Sequence, residues 1–402
     1  MLQTWHNELE ILYPQLVKWR RHLHQNPELS FQEVKTPAMI AQILESLGIE
    51  VRKGVGGRGV VGVIRGGRPG KTIALRADFD ALPINDLKDV PYKSQVPGVM
   101  HACGHDGHTA TLLGVASVLN QNRSNLAGNV VLLHQHAEEQ TPGGAVSMIE
   151  DGCLEGVDVV FGTHLTTSAP TGTYLYKEGL IMAASDQFNL TVQGKGGHSS
   201  TPHETIDAIT VTTQIIHHWQ YIISRKVDPQ KPSVLSVGSF HAGLAPNVIA
   251  DTAEISGSVR TYDADVRDQI EREIRKAVQA ICDDAGASYT LDYKRGYPSV
   301  NNHPKETKVF VQAMEKAGFT DRLSEMTPLM GGEDFAYYLE QIPGTFFFTG
   351  ARNEEIGADM PHHHPMFDFD ETAMLDAGKA FLTLIHHYAV ESAEQKAAEP
   401  IS

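Results

Sequence analysis

The sequence predicts an α/β protein. It reads as an α/β domain, with a mixed sheet and helices on its faces, interrupted by an inserted ferredoxin-like α+β domain. Two observations carry this. Strand-like runs alternate with helical patterns over residues 1–185 and again over 297–402. Between them, residues 186–296 read in the order β-α-β-β-α-β. A chain of 402 residues also suits two domains better than one, at about 150 residues per domain.

The elements follow in order. Leu2, Trp5, Leu9, Leu12, Leu16, Trp19 and Leu23 alternate steps of three and four, the stripe of an amphipathic helix that packs onto a sheet. Pro14 predicts a kink or break near Tyr13. Thr36-Pro37 reads as an N-cap followed by proline at the first helical position. Gly48 closes that helix after Ile40, Ile43, Leu44 and Leu47. β-rich runs at 59–64, 72–77, 129–135 and 158–163 read as strands, with helices at 108–120 and 143–151. In the insertion, strands are expected at 188–192, 234–240, 253–260 and 288–293, and helices at 204–224 and 263–285. Its ends fall in turns near Ala184 and Gly296-Tyr297-Pro298. Helices at 305–317 and 371–389 then flank a strand at 345–349 and complete the first domain. The polar segment 391–402 reads as a frayed tail.

A net charge of -16 disfavours nucleic acid and anionic membranes as partners. The three cysteines, Cys103, Cys153 and Cys282, form no disulfide framework, so a reducing compartment is expected. No secretory leader pattern and no apolar run of about 18 residues occur. The expected location is cytoplasmic.

His101-Ala-Cys-Gly-His-Asp-Gly-His108 places imidazoles, a thiol and a carboxylate in one Gly-rich stretch. That is the donor set of a transition-metal site. Glu138-Glu139 follows an apolar strand, and adjacent carboxylates repel unless a cation sits beside them. One can bind metal while the other polarises water. His164 is expected to end another strand, and Asp78 and Asp80 to follow a third. His362-His363-His364 adds distant imidazoles. Ligands in α/β sheets gather beyond the carboxyl ends of strands, and four such sources converging there would build a site for two ions. Each group alone has a plainer reading. His164 could be a satisfied core histidine, Glu138-Glu139 a solvated patch, the triple histidine an exposed loop, and Cys103 a small buried hydrophobe. Packing does not explain the cluster. Structural zinc-finger patterns are absent, for there is no paired Cys-x-x-Cys. A cysteine nucleophile is weaker, because metal would consume the Cys103 thiolate. Gly70-Lys71-Thr72 is no phosphate loop, since Arg65 stands where its first glycine belongs and a strand follows.

Several motifs occur in order: Arg20-Arg-His-Leu-His-Gln-Asn-Pro-Glu-Leu-Ser30, Arg76-Ala-Asp-Phe-Asp-Ala-Leu-Pro83, the His101–His108 run, Glu138-Glu139, Gly197-His198, Pro246-Asn247-Val248, Gly332-Glu-Asp-Phe335 and His363-His-Pro365. Together they resemble the M20 metallopeptidases, and within them the amidohydrolase branch that cleaves N-acyl amino acids. The resemblance spans roughly residues 18–385. It implies two divalent ions held by Cys103, His105, Glu139, His164 and one histidine of 362–364, with His-x-Pro pointing to His363; such mixed ligation suits zinc, cobalt, nickel or manganese without choosing among them. It implies Glu138 as general base and Asp80 as the carboxylate that orients a ligand. Asp78 and Asp106 would support the loop. The insertion would be a lid that also makes a homodimer, with His198 reaching across it to the oxyanion. Asn247 and Arg260 would face the substrate, Arg260 pairing with its carboxylate; a strand-edge salt bridge is the other reading of Arg260. Two departures from the pattern, His136 and Thr166-Thr167, flank proposed ligands and bear on the acyl pocket.

The expected activity is therefore hydrolysis of an N-acyl amino acid, a small-molecule substrate. Dipeptide or aminopeptidase cleavage on the same site is the alternative, and a non-catalytic metal-loaded binding protein the third.

Overall fold

The computed structural model describes residues 1–391, so the expected tail beyond Glu391 lies outside the described residues. The chain forms two compact units. The first comprises Met1–Ile181, Asn301–Thr327 and Asp334–Ser402, the second Met182–Val300 and Pro328–Glu333.

The first unit opens with a helix at Leu2–Gln25 that runs through Pro14 without the expected break. Proline forfeits one backbone hydrogen bond, but both flanking turns are anchored. Trp5 and Leu9 are buried before it, and Leu16, Arg20 and Leu23 after it. Leu9 and Leu16 seat against Gly114 and Gly378 of two other helices. A Cβ at Gly114 would stand 2.7 Å from Leu16 Cδ1, and one at Gly378 2.6 Å from Leu9 Cδ2, so glycine permits this approach.

The next helix spans Lys35–Ser46, and Thr36 is not its cap. The Glu28 carboxylate instead accepts the N–H groups of Val34, Lys35 and Thr36 at 3.0, 3.0 and 2.8 Å. An anion there satisfies otherwise orphaned donors and suits the helix dipole. Burial alone would raise the Glu28 carboxyl, but these bonds hold it below its usual value. The chain leaves the helix through Gly48, as expected.

The main sheet has eight strands in the spatial order Glu50–Val55, Gly59–Arg65, Ala127–Gln135, Arg68–Asp78, Val159–Pro170, Gly344–Arg352, Tyr174–Tyr176 and Leu323–Glu325. It is mixed. The four from Ala127–Gln135 to Gly344–Arg352 run parallel, and both pairs at the Glu50–Val55 edge are antiparallel. Residues 50–55 lack a hydrophobic alternation and are mostly exposed, so the sequence carried no strand signal there. Helices His105–Gln121 and Ala373–His386 pack with the first helix over a core that includes Leu75, Leu113, Phe161 and Phe347.

The second unit is a four-stranded antiparallel sheet. In space its strands run Ser233–Ala242, Thr252–Thr261, Ala184–Gln193, Ser288–Arg295, the ferredoxin-like order. Its helices are Ala208–Arg225 and Ala264–Ala285, capped by the side chains of Asp207 and Asp263. The first starts later than expected, because Asp207 rather than Glu204 supplies the cap. Phe188, Trp219, Ile222, Ile255, Ile270 and Ile274 fill the core between. Among the described residues, no helix is long and apolar enough to cross a membrane.

Candidate metal centre

The site forms where the strand order of the sheet reverses. Arg68–Asp78 lies between Ala127–Gln135 and Val159–Pro170, all three parallel. The next strand in sequence goes to one side of it and the following one to the other, which opens a crevice at the strand ends. Asp78 pairs with Gln135, and Arg76 with Gly162, so His164 stands level with Asp78. His164 does not end its strand. The strand continues to Pro170, and His164 pairs with Phe348.

Cys103 precedes helix His105–Gln121, separated from it by Gly104 at φ +92°. That left-handed turn is open to glycine and aims both Cys103 and His105 into the crevice. Cys103 Sγ lies 3.4 Å from His164 Nε2 and 3.4 Å from His362 Nδ1. Ligand atoms of Cys103, His105 and Glu139 likewise lie within 4.8 Å of one another. Two donor triplets thus share one thiol. His105 Nε2 is 3.8 Å from Glu139 Oε1 and 4.0 Å from Glu138 Oε2. His363, in a left-handed conformation at φ +65°, points Nε2 at Glu139 Oε1, 3.1 Å away. The run at 362–364 therefore offers two imidazoles, one on each side.

The donors fit divalent ions. His105 Nε2, which faces Glu138 and Glu139, is buried and has no hydrogen-bond partner among the described residues, a costly arrangement unless something binds it. A mixed thiol, imidazole and carboxylate set suits borderline transition metals.

Supporting contacts fix the donors. His105 Nδ1 lies 3.0 Å from the Asp80 carbonyl and 3.2 Å from Asp80 Oδ1. Asp80 Oδ2 accepts the Ser30 hydroxyl at 2.6 Å and the Glu139 N–H at 3.0 Å. One carboxylate thus orients an imidazole at the start of a helix and the backbone of a loop. Asp78, His105 and His108 also cluster, but His108 is already spent. Its Nε2 accepts the Leu165 N–H at 2.9 Å, so its Nδ1–H donates to Asp78 at 2.6 Å. Asp106 faces away, toward Arg20 and His24. Asp334 binds Arg76, Gln135 and the Ala145 N–H, bracing the strand ends.

Electrostatics argue the same way. Burial works against charging His105, yet Asp78, Asp80 and Glu139 push it up to about 10. Such a pocket of negative charge attracts a cation. Burial, aided by His108 and His362, holds His164 well down, so its ring is neutral. Burial, Glu139 and Glu138 drive the Cys103 thiol well up. A nucleophilic cysteine needs the opposite shift, so only a metal would make this thiol a thiolate.

The departures are also placed. His136 is buried, with Nδ1 lacking a partner and its ring edge-on to Phe31. Thr167 Oγ1 donates to the Met360 carbonyl at 2.9 Å.

His198, Asn247 and Arg260 belong to the second unit. Gly197-His198 pairs with Val248-Ile249, which sets Asn247 beside His198. The Ser200 N–H donates to His198 Nδ1 at 3.1 Å, so a neutral ring carries its proton on Nε2. Arg260 is half-buried on strand Thr252–Thr261, and no ion pair engages it among the described residues.

Sequence reasoning missed Ser30, Glu33, Arg76 and Gln135. These are ordinary polar residues, and only their contacts across the chain reveal a role.

Residues 74–387 match the model of peptidase family M20/M25/M40. The chain belongs to this family. It is 55% identical over 372 residues to the protein YhaA of Bacillus subtilis (strain 168), covering 92% of this chain and 94% of that one. It is 42% identical over 369 residues to the N-acetyl-L-cysteine deacetylase of the same organism (92% and 87% covered). It is 43% identical over 371 residues to thermostable carboxypeptidase 2 of Saccharolobus solfataricus (92% and 94% covered). Among solved structures, the Bacillus subtilis YXEP protein, described as a dinuclear metal-binding M20 peptidase, superposes with TM-score 0.80 at 37% identity, covering 94% and 98%. This chain is thus a metal-dependent hydrolase of the M20 family, of the amidohydrolase kind, on the mixed α/β fold of that family.

Proposed function

We propose that this enzyme hydrolyses the amide bond of N-acyl amino acids, with Glu138 as general base and two divalent ions at the strand-end site. The observation that carries the proposal is the pair of donor triplets sharing Cys103, with Glu138 beside them. Cys103, His105, Glu139, His164 and His363 are the proposed ligands, and His362 stands as a further candidate. When bound, such ions polarise the amide carbonyl and acidify water. Glu138 takes the proton of the attacking water and delivers it to the departing nitrogen. Asp80 keeps His105 and Glu139 in place. His198 Nε2–H donates to the oxygen that becomes negative, across a homodimer formed by the second unit. Exposed Val234, Phe240, Leu244 and Val248 on that unit support self-association. Light scattering should give a dimer mass; a fully active monomer would exclude the role of His198 across an interface.

Arg260, unpaired and half-buried, supports recognition of a free carboxylate, with Asn247 beside His198 facing the substrate. A carboxylate is common to N-acyl amino acids and to the C-terminal residue of a peptide. Relatedness to a protein named a carboxypeptidase therefore keeps peptide cleavage as the second reading. A panel of N-acetyl amino acids, N-aroyl amino acids and dipeptides, each with the enzyme reloaded with zinc, manganese, cobalt or nickel, separates the two.

The decisive variant is Glu138→Ala. It should retain its metal and lose turnover by roughly 10²–10⁴-fold, the usual contribution of a general base. Undiminished hydrolysis of an N-acyl amino acid would end the assignment.

A further inference from the structure

Glu138 sits on a loop whose backbone is bent in an unusual way. Ala137, just before it, has φ +51°, a left-handed conformation that a residue with a Cβ rarely adopts. Such a conformation persists only when its surroundings over-determine it. Ala137 is fully buried, while the neighbouring His136 lines, with Phe31, Arg58, Pro142 and Val146, a cavity of about 450 Å³. Hydrogen bonds fix the Ala137 backbone. Glu33, only 1% exposed, accepts the Ala137 N–H on Oε1 at 2.9 Å. The Ala137 carbonyl accepts the Gly144 N–H at 3.1 Å. Arg58 fastens Glu33 in turn: it donates to the Glu33 carbonyl, and its Nε stands 3.9 Å from Glu33 Oε2. On the far side of Glu138, the Glu139 N–H is held by Asp80.

We propose that Glu33 is a positioning residue for Glu138: by clamping the Ala137 amide it fixes the left-handed turn that aims Glu138 into the site. This rests on the reading of Glu138 as general base. Glu33 contacts the Ala137 N–H and Arg58. Its effect is transmitted through one peptide unit, and an error of about 1 Å in a reacting group can lower a rate by about 100-fold.

Three replacements test it. Glu33→Ala removes the acceptor. Glu33→Asp keeps the charge but falls one methylene short, and it serves if the alanine variant does not fold. Glu33→Gln keeps an acceptor oxygen. It also mimics the protonated acid, which is relevant because burial pushes the Glu33 carboxyl up to about 7. The expected result is a kcat about tenfold lower or worse in the alanine and aspartate variants. Their KM for an N-acetyl amino acid and their metal content should stay near the parent, and the glutamine variant should stay within about threefold of parent kcat. Hydrogen exchange of peptides covering residues 136–140 should quicken in the first two variants and not in the third.

Parent kcat in Glu33→Ala, or a loss matched by lost metal, would overturn the proposal, as would Glu33→Gln being as impaired as Glu33→Ala. The two readings fail separately. A dead Glu138→Ala beside a fully active Glu33→Ala refutes the clamp and leaves the base. A fully active Glu138→Ala refutes the base and with it the proposed purpose of the clamp, while exchange still reports whether the clamp exists.

Discussion

Replacing Arg20 with methionine tests how the first helix is tied to the metal loop. Arg20 is fully buried and contacts Asp106 at 2.9 Å, Asp368 at 2.6 Å and Glu371 at 3.2 Å. Its guanidinium also stacks over Tyr92 and Phe369, with centroids 4.7 and 4.5 Å away. Methionine restores much of the volume but leaves two buried carboxylates without their cation. Breaking a buried ion pair on one side typically costs about 3–5 kcal/mol. His24 remains on Asp106 and Tyr92 on Asp368, so the losses should not add and the same range applies. Urea unfolding at pH 7 measures it. The pH dependence gives a second check. Burial alone would raise the Asp106 and Asp368 carboxyls, but Arg20, together with His24 beside Asp106 and Tyr92 and Lys88 beside Asp368, outweighs this, and both titrate below their usual range. Depressed folded values mean that the contribution is complete above about pH 4, the unfolded carboxyl range, and is lost as pH falls through the folded values. The gap between parent and Arg20→Met should therefore shrink below about pH 4. Adding Asp106→Asn should recover at least about 1 kcal/mol, since it removes one stranded charge. A deficit under about 1 kcal/mol at pH 7, or one that does not shrink in acid, refutes the reasoning.

Two further outcomes follow from the site. His363→Ala, which strips Glu139 of its imidazole neighbour, should lower bound metal per subunit by about half by elemental analysis. His362→Ala at parent metal content would leave His362 outside the ligand set, whereas a drop in His362→Ala alone would move the ligand role to it. Arg260→Ala should raise KM for an N-acyl amino acid by roughly 10–100-fold, the worth of a hydrogen bond to a charged group. It should change little for the corresponding carboxamide, and an equal effect on both would remove the carboxylate role.

Much of the candidate site was legible in the chain because its chemistry is local. Cys103 and His105 share a Gly-rich turn, Glu138 and Glu139 are neighbours, and the second unit's strands and helices follow a recognisable order. Regular periodicity likewise gave most helices and the central strands. The failures have a common cause. The Thr36 cap was displaced by Glu28, the break at Pro14 was overridden by buried residues on both sides, and His164 lies inside a longer strand. In each, a contact distant from the local signal had the larger energy.

The His101–His108 run by itself determined the donor set of a transition-metal site. It left its three histidines and one acid nearly equivalent. Tertiary structure separated them: His108 spends both nitrogens on Asp78 and Leu165, Asp106 turns to Arg20, and His105 keeps one nitrogen open toward Glu139. The reason is physical. Donor type is fixed by the residue, but a donor can bind only what its other hydrogen bonds leave free, and those partners come from 25 to 86 positions away.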